Sequence, residues 1–374
     1  MATHLNSNAF SKTGKVILIG ITLLSISCLK DKSFKSYKLN EKILFKINTG
    51  LSDPSGLLIN NETDKFVYKI SSNQLIFYHI KVDSVVKKID LPHFVKFHSI
   101  DIIDLNTFAL FVDSAFYVYK NNNFINYSIN QFDTSIILLP YHKIKYFPDL
   151  NKITAIAIFK TKLKQDIKAY DVKFINVFDL VKKTSELVSF KYPIQYHDNK
   201  LGIPNIYFSK AKHNLIISFS YDPQLYILNL ENLKVNNVVL KSRDNMLNAS
   251  YDRNLDKRSK LDMIQKNLHF SDYYGIAFYG SNGDNFYRIY KPALPEKDGA
   301  NFLSSKDIGC RLIKLSLKNG NQQEYLLPNG VYYLIDNWTI DPENEDLNYL
   351  KIYPYDQKNN IWIFNVHTIH LFDF

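Results

Sequence analysis

The chain has 374 residues, 46% of them hydrophobic, and carries 46 Lys and Arg against 36 Asp and Glu, a net charge of +10. That length and apolar share allow a sizeable core, in one large all-β domain or in two ordinary ones. Cys28 and Cys310 alone, in so long a chain, exclude a disulfide framework. The lysines are scattered along strand-like segments instead of forming basic blocks with interleaved aromatics. The charge therefore reads as a solvated surface, nucleic acid is not an expected partner, and an anionic membrane surface is the better alternative.

In chain order, the first element is an address. Residues 1–15 are polar, with Lys12 and Lys15 and no acidic residue, and residues 16–26 (VILIGITLLSI) are apolar throughout. An apolar run this short cannot span a bilayer and has the layout of a signal peptide. It ends at Cys28, preceded by Ser27 and Ile26, with Leu24 as the branched apolar residue. These residues resemble a bacterial lipoprotein signal, in which a small residue precedes a cysteine that is acylated and becomes the mature N-terminus. Ser25 stands where that signal usually has Leu, a loosening similar to that of Bacteroidota lipoproteins. The resemblance implies cleavage after residue 27, a lipid on Cys28, and a tether over 28–36. Membrane attachment through that lipid places the chain in the cell envelope, as an outer-membrane protein facing the periplasm or the surface.

The body is rich in aromatics, 26 Tyr and 26 Phe, which favour pleated and half-buried surfaces. Glycine is scarce at 12 residues, so tight turns must lean on Asn and Asp, as in NNETDK (60–65), KNNN (120–123) and KNGN (318–321). A short apolar strand with a polar penultimate residue recurs at LIFYHI (75–80), AFYVYK (115–120), INVFDL (175–180), LYILNL (225–230), LIKLSL (312–317) and IHLFDF (369–374). Two strands joined by a polar turn precede most copies, and a turn and another strand follow them. Four strands per unit and six units predict a six-bladed β-propeller over residues 37–374. The last copy ends at Phe374 without an outer strand. The strand-like YKLNEKILFKIN (37–48) is expected to pair beside 369–374 and close the ring, covering an edge that would otherwise invite aggregation.

With blade strands ordered from the channel outward, the connections between second and third strands and those between blades share one face. The long segments 160–173, 242–268, 295–309 and 329–347 all fall in such connections, which makes that face the expected binding surface. Residues 255–268 have the spacing of a short amphipathic helix. The blade junctions LPHF (91–94), LPYH (139–142), YPIQYH (192–197) and NLHF (267–270) bring His93, His142, His197 and His269 toward the same mouth. Converging imidazoles can bind an anion or a metal. No acidic partner recurs at matching positions, so no metal site or cofactor is assigned, and corner-shaping is the plainer role. Arg253 and Arg288, expected on or near this face, could recognise carboxylate or phosphate by fork geometry. Cys310, at the start of an apolar strand, reads as a small buried hydrophobe.

No Walker A, GxGxxG, HExxH, CxxC or Gly-x-Ser-x-Gly pattern occurs, nor any Asp-box turn, so no catalytic residue is assigned. DRNLDKRSKLD (252–262) lacks the glycine and closing Glu of a calcium loop. The lipoprotein signal, the six repeats and NFYRIYKPALPE (285–296) together resemble the six-bladed, TolB-like propeller lipoproteins of Bacteroidota, a family of unknown function. The first functional reading is a monomeric, lipid-anchored binding module that takes a protein, peptide or glycan on its loop-bearing face. The alternative is an envelope hydrolase or lyase acting on glycans at the channel mouth.

Overall fold

The computed structural model describes residues 35–36, 40–48, 56–59, 65–132 (without 72, 80, 83 and 95), 136–138, 143–159, 173–196 (without 195), 206–242, 273–292 (without 281–282), 310–327, 338–340, 347–356 and 361–369. The chain divides into two compact units, Met1–Ser36 and Tyr37–Phe374. Of the first, Lys35–Ser36 is described, as a short strand. The signal segment, Cys28 and the tether up to residue 34 lie outside the described residues. Among the described residues, no helix is long and apolar enough to cross a membrane.

The second unit is an all-β β-propeller with four-stranded antiparallel blades. The first blade comprises Gly56–Ile59, Lys65–Ile70, Gln74–His79 and Ser84–Asp90. The second comprises Phe97–Asp104, Thr107–Val112, Ala115–Lys120 and Asn123–Ser128. The third is built on Lys145–Phe147, Lys152–Phe159, Ile175–Asp179 and Thr184–Leu187. The fourth comprises Ile206–Ala211, Asn214–Phe219, Gln224–Asn229 and Val235–Val239. The fifth comprises Tyr273–Tyr279, Asn285–Lys291, Arg311–Ser316 and Gln322–Leu326. The blades shown are these five, against the six expected. A further sheet, described in backbone alone, orders Trp338–Ile340, Leu347–Asp356, Ile361–Ile369 and Asn40–Asn48.

Burial explains why the inner strands read as near-continuous apolar runs. In Thr107–Val112, Phe108, Leu110 and Val112 join the core shared with the first blade, while Ala109 and Phe111 join the core shared with the third. Successive side chains point to opposite faces, and stacked blades cover both. Full burial of a residue such as Phe108, with no exposed surface, contributes about 2–3 kcal/mol. Outer strands lose one covering layer, and Val85, Val86, Ile125 and Val239 are exposed there.

Five repeat copies fall on third strands of blades, as the pattern predicts. Of the sixth copy, Ile369 alone is described; the third strand of the last sheet is Ile361–Ile369, which pairs with Asn40–Asn48. The alternating run IWIFNVHTI is long enough to serve both neighbours along its length. The segment 329–347 is likewise not one insertion, because Trp338–Ile340 pairs with Leu347–Tyr349.

The two faces differ in their connections. Among the described residues, hairpins between first and second strands, and between third and fourth, are tight. Their corners hold the positive-φ residues Asn121, Asn122, Asn151, Lys183, Lys212, Leu233, Gly283 and Gly320. Asn121 and Asn122, at φ 53° and 61°, supply the left-handed pair that a two-residue hairpin needs, in the stretch where sequence placed such a turn. The strands flanking 160–173, 242–268 and 295–309 all end on the opposite face, as the strand order requires. The helix expected at 255–268 lies outside the described residues.

Candidate functional site

Of the residues singled out from sequence, His93 lies exposed in the connection between the first and second blades. His197, His269 and Arg253 lie outside the described residues. His142 does too; its segment LPYH falls in sequence between Ile136–Leu138, which pairs with Ala157–Phe159, and Lys145–Phe147, which pairs with Lys152–Thr154. Among the described residues, no group of three or more His, Cys, Asp or Glu is placed to hold a metal.

Arg288 is described, and it sits inside the propeller, not on its face. It occupies the middle of the second strand of the fifth blade, opposite Ala277 and Ile313, with no exposed surface. A residue at the centre of a strand sandwiched between blades has no route to solvent short of the strand end. Its Nη2 donates to Ser218 Oγ at 2.8 Å and to the Phe219 carbonyl at 2.9 Å, both on the fourth blade. The guanidinium carbon lies 4.1 Å from the centroid of the Tyr274 ring, within cation–π range. Burial pushes its pKa down to about 10, against the opposing pull of Tyr274 and the Asp222 carboxylate. Around it, Tyr226 donates to Asp222 Oδ2 at 2.6 Å, Tyr221 donates to Tyr273 at 2.6 Å, and the Tyr221 amide donates to the Tyr196 hydroxyl at 2.8 Å. This tyrosine-rich network pins the fourth blade to the fifth. Cys310, just before the third strand of the fifth blade, is fully buried, and desolvation pushes its thiol up to about 12, which makes it a packing residue.

A second polar cluster was not singled out from sequence. Asp101 on the inner strand of the second blade is buried, yet it binds three partners. Oδ1 accepts from Lys145 Nζ at 3.2 Å, and Oδ2 accepts from Lys210 Nζ at 2.7 Å and from the Tyr146 amide at 2.8 Å. Lys210 Nζ also donates to the Tyr146 carbonyl at 3.3 Å. The innermost strand of any blade has a free edge of backbone N–H and C=O groups that need partners. At Tyr146 these are supplied by Asp101 and Lys210, and next to it Ser99 Oγ accepts from the Ile144 amide at 3.0 Å. Burial alone would raise the Asp101 pKa; Lys145 and Lys210 outweigh it and hold the carboxyl below its ordinary value. For Lys210, desolvation wins over the attraction of Asp101 and lowers its pKa.

A sequence signal for this cluster did exist. Each of the three charges interrupts an otherwise apolar or short inner strand, in FHSIDIID, KYF and IYFSKA. A charge on the strand nearest the channel is costly unless paired.

No protein-family model and no curated protein sequence matches the chain. Among solved structures, a member of the DUF4221 family from Bacteroides vulgatus is similar, with a TM-score of 0.61 at 14% identity, covering 90% of this chain and 100% of that one. The hydrazine synthase of Kuenenia stuttgartiensis matches at a TM-score of 0.44 and 12% identity, over 80% of this chain and 74% of that one. At such identities the first likeness shows the fold.

Proposed function

We propose that the protein is a binding module of the cell envelope: a six-bladed propeller, held to the membrane by a lipid on Cys28, that captures a protein, peptide or glycan. The observation that carries this reading is the placement of the long connections: 160–173, 242–268 and 295–309 all arise from one face, beside short turns such as that at Asp113. A rigid scaffold with variable loops on one face is the usual arrangement for recognition. The sixth blade is Trp338–Ile340, Leu347–Asp356, Ile361–Ile369 and Asn40–Asn48; its support is the pairing of Asn40–Asn48 with Ile361–Ile369, and the approach of Trp338–Ile340 to Gly56–Ile59 of the first blade. A ring closed by strands from both ends of the chain leaves no inner gap. His93, His142, His197, His269 and Arg253 are the side chains this face would bring to a ligand.

Binding is favoured over hydrolysis by the state of Asp101, the buried carboxyl on an inner strand. Two ammonium groups and an amide hold it ionised and occupy both of its oxygens, leaving it nothing to offer as a general acid or base.

The test uses the full chain in detergent, immobilised and exposed to envelope extract, beside a variant in which 243–268 is replaced by a short Gly/Ser linker. Loss of specific partners in the variant is the expected result; an unchanged partner set overturns the loop-face reading. For the anchor, Cys28→Ser should abolish incorporation of labelled fatty acid, and persistent labelling rules it out.

A further inference from the structure

Lys210 belongs to the fourth blade and Asp101 to the second, with the third blade standing between them. A contact of 2.7 Å between residues of non-adjacent blades is possible only over the inner edge of the intervening blade. The Lys145–Asp101–Lys210 cluster therefore lies on the wall of the central channel, and its members are accessible from it: the Lys145 and Lys210 side chains keep 17% and 26% of their exposure, Asp101 only 7%.

The cluster is not neutral. Two ammonium groups share one carboxylate, leaving one positive charge in excess. Each ammonium has three N–H donors. Lys145 donates one of its three to Asp101, and Lys210 two, to Asp101 and the Tyr146 carbonyl. Three donors remain, directed from two cations that a single carboxylate already bridges with one oxygen apiece. A channel wall of low dielectric strengthens this surplus field relative to open surface.

We propose that Lys145 and Lys210 form a binding site in the channel for a small oxyanion, a carboxylate or a phosphate group borne by the ligand. The bridging geometry of Asp101 is the template: a second group with two oxygens on one centre can span the same two ammoniums from the solvent side, using the donors that Asp101 leaves. A metal cation or a basic group is repelled by the same surplus. Tyr146 fixes the spacing, because its amide holds Asp101 and its carbonyl holds Lys210, so the two cations are positioned before any anion arrives. This site stands apart from the loop-face reading and survives its failure, since no residue of 243–268 takes part in it.

The experiment is protection from acylation. The full chain in detergent is treated with a trace of an acetylating ester, with and without inorganic phosphate or acetate at matched ionic strength, and each lysine is followed by peptide mass spectrometry. Acylation of Lys145 and Lys210 should slow by about tenfold once the anion reaches ten times its dissociation constant. Lys182 and Lys318, whose side chains are 76% and 73% exposed, should be unaffected. Protection at lower phosphate than acetate assigns a phosphate-bearing ligand, and the reverse a carboxylate. No selective protection by either anion overturns the proposal on the unaltered protein. In Lys145→Gln, which leaves a neutral Lys210–Asp101 pair, the protection of Lys210 should disappear; its persistence overturns the two-lysine site.

Discussion

The channel wall and the boundary between the fourth and fifth blades solve one problem in two ways. Both hold cations within a propeller whose strands are otherwise apolar. At the channel wall the charges meet a carboxylate, retain a fraction of their solvent exposure, and satisfy the backbone edge of Tyr146. Between the blades, Arg288 has no exposed surface. It spends two hydrogen bonds from one nitrogen and rests on the face of Tyr274, while its Nε and Nη1 atoms have no hydrogen-bond partner. The difference teaches what each site is for. A buried guanidinium stacked on an aromatic is a joint between blades, and a partly solvated pair of ammoniums sharing one acid is a place where another anion can bind.

The largest expected effect separates packing from charge at the joint. Arg288→Ala should destabilise the fold by about 3–5 kcal/mol, since it leaves a large cavity and strips the Phe219 carbonyl of a donor. Arg288→Met fills most of that volume without a buried charge and should cost far less, because apolar replacements of buried ions are often near neutral. Urea titration of both variants decides; equal losses would mean that the charge itself holds the blades.

A smaller effect is expected at the channel wall. Asp101→Asn should cost about 1.5–3 kcal/mol by weakening charge-assisted bonds to Lys145, Lys210 and the Tyr146 amide. The same group makes a pH prediction. Its folded pKa lies below the ordinary value of 3.8, so its stabilisation is complete above that value and is lost as pH falls through the folded pKa. Unfolding titrations between neutral pH and pH 2 should show an acid-side loss that Asp101→Asn lacks; an identical acid limb in both proteins removes Asp101 from this role.

The smallest effect is a silence. With its thiol buried and its pKa pushed up to about 12, Cys310 should resist alkylation at pH 8 in the folded protein and react on unfolding. Prompt labelling of Cys310 in the native state would mean that the fifth blade opens far more readily than its packing implies.

Much of the fold was legible because a propeller writes itself into the chain. Third strands pack between neighbouring strands and blades, so segments such as Ile175–Asp179 and Gln224–Asn229 repeat the same apolar run at blade intervals. The sparse glycines pointed to asparagine corners, and Asn121 and Asn122 occupy one. The repeat did not single out Ile361–Ile369, the longer run that pairs with Asn40–Asn48. Arg288 misled. Sequence placed it on or near the loop-bearing face, and nothing within the strand says that a neighbouring blade covers it.

Sequence by itself determined what depends on periodicity: strand alternation, blade spacing, the corners, and the position in strand order of the long connections. Only the tertiary structure decided which charges meet. Asp101, Lys145 and Lys210 are separated by 44 and 109 residues from the acid to each partner. Their encounter depends on the curvature that brings the inner edges of three blades around one channel, and no local pattern records that curvature.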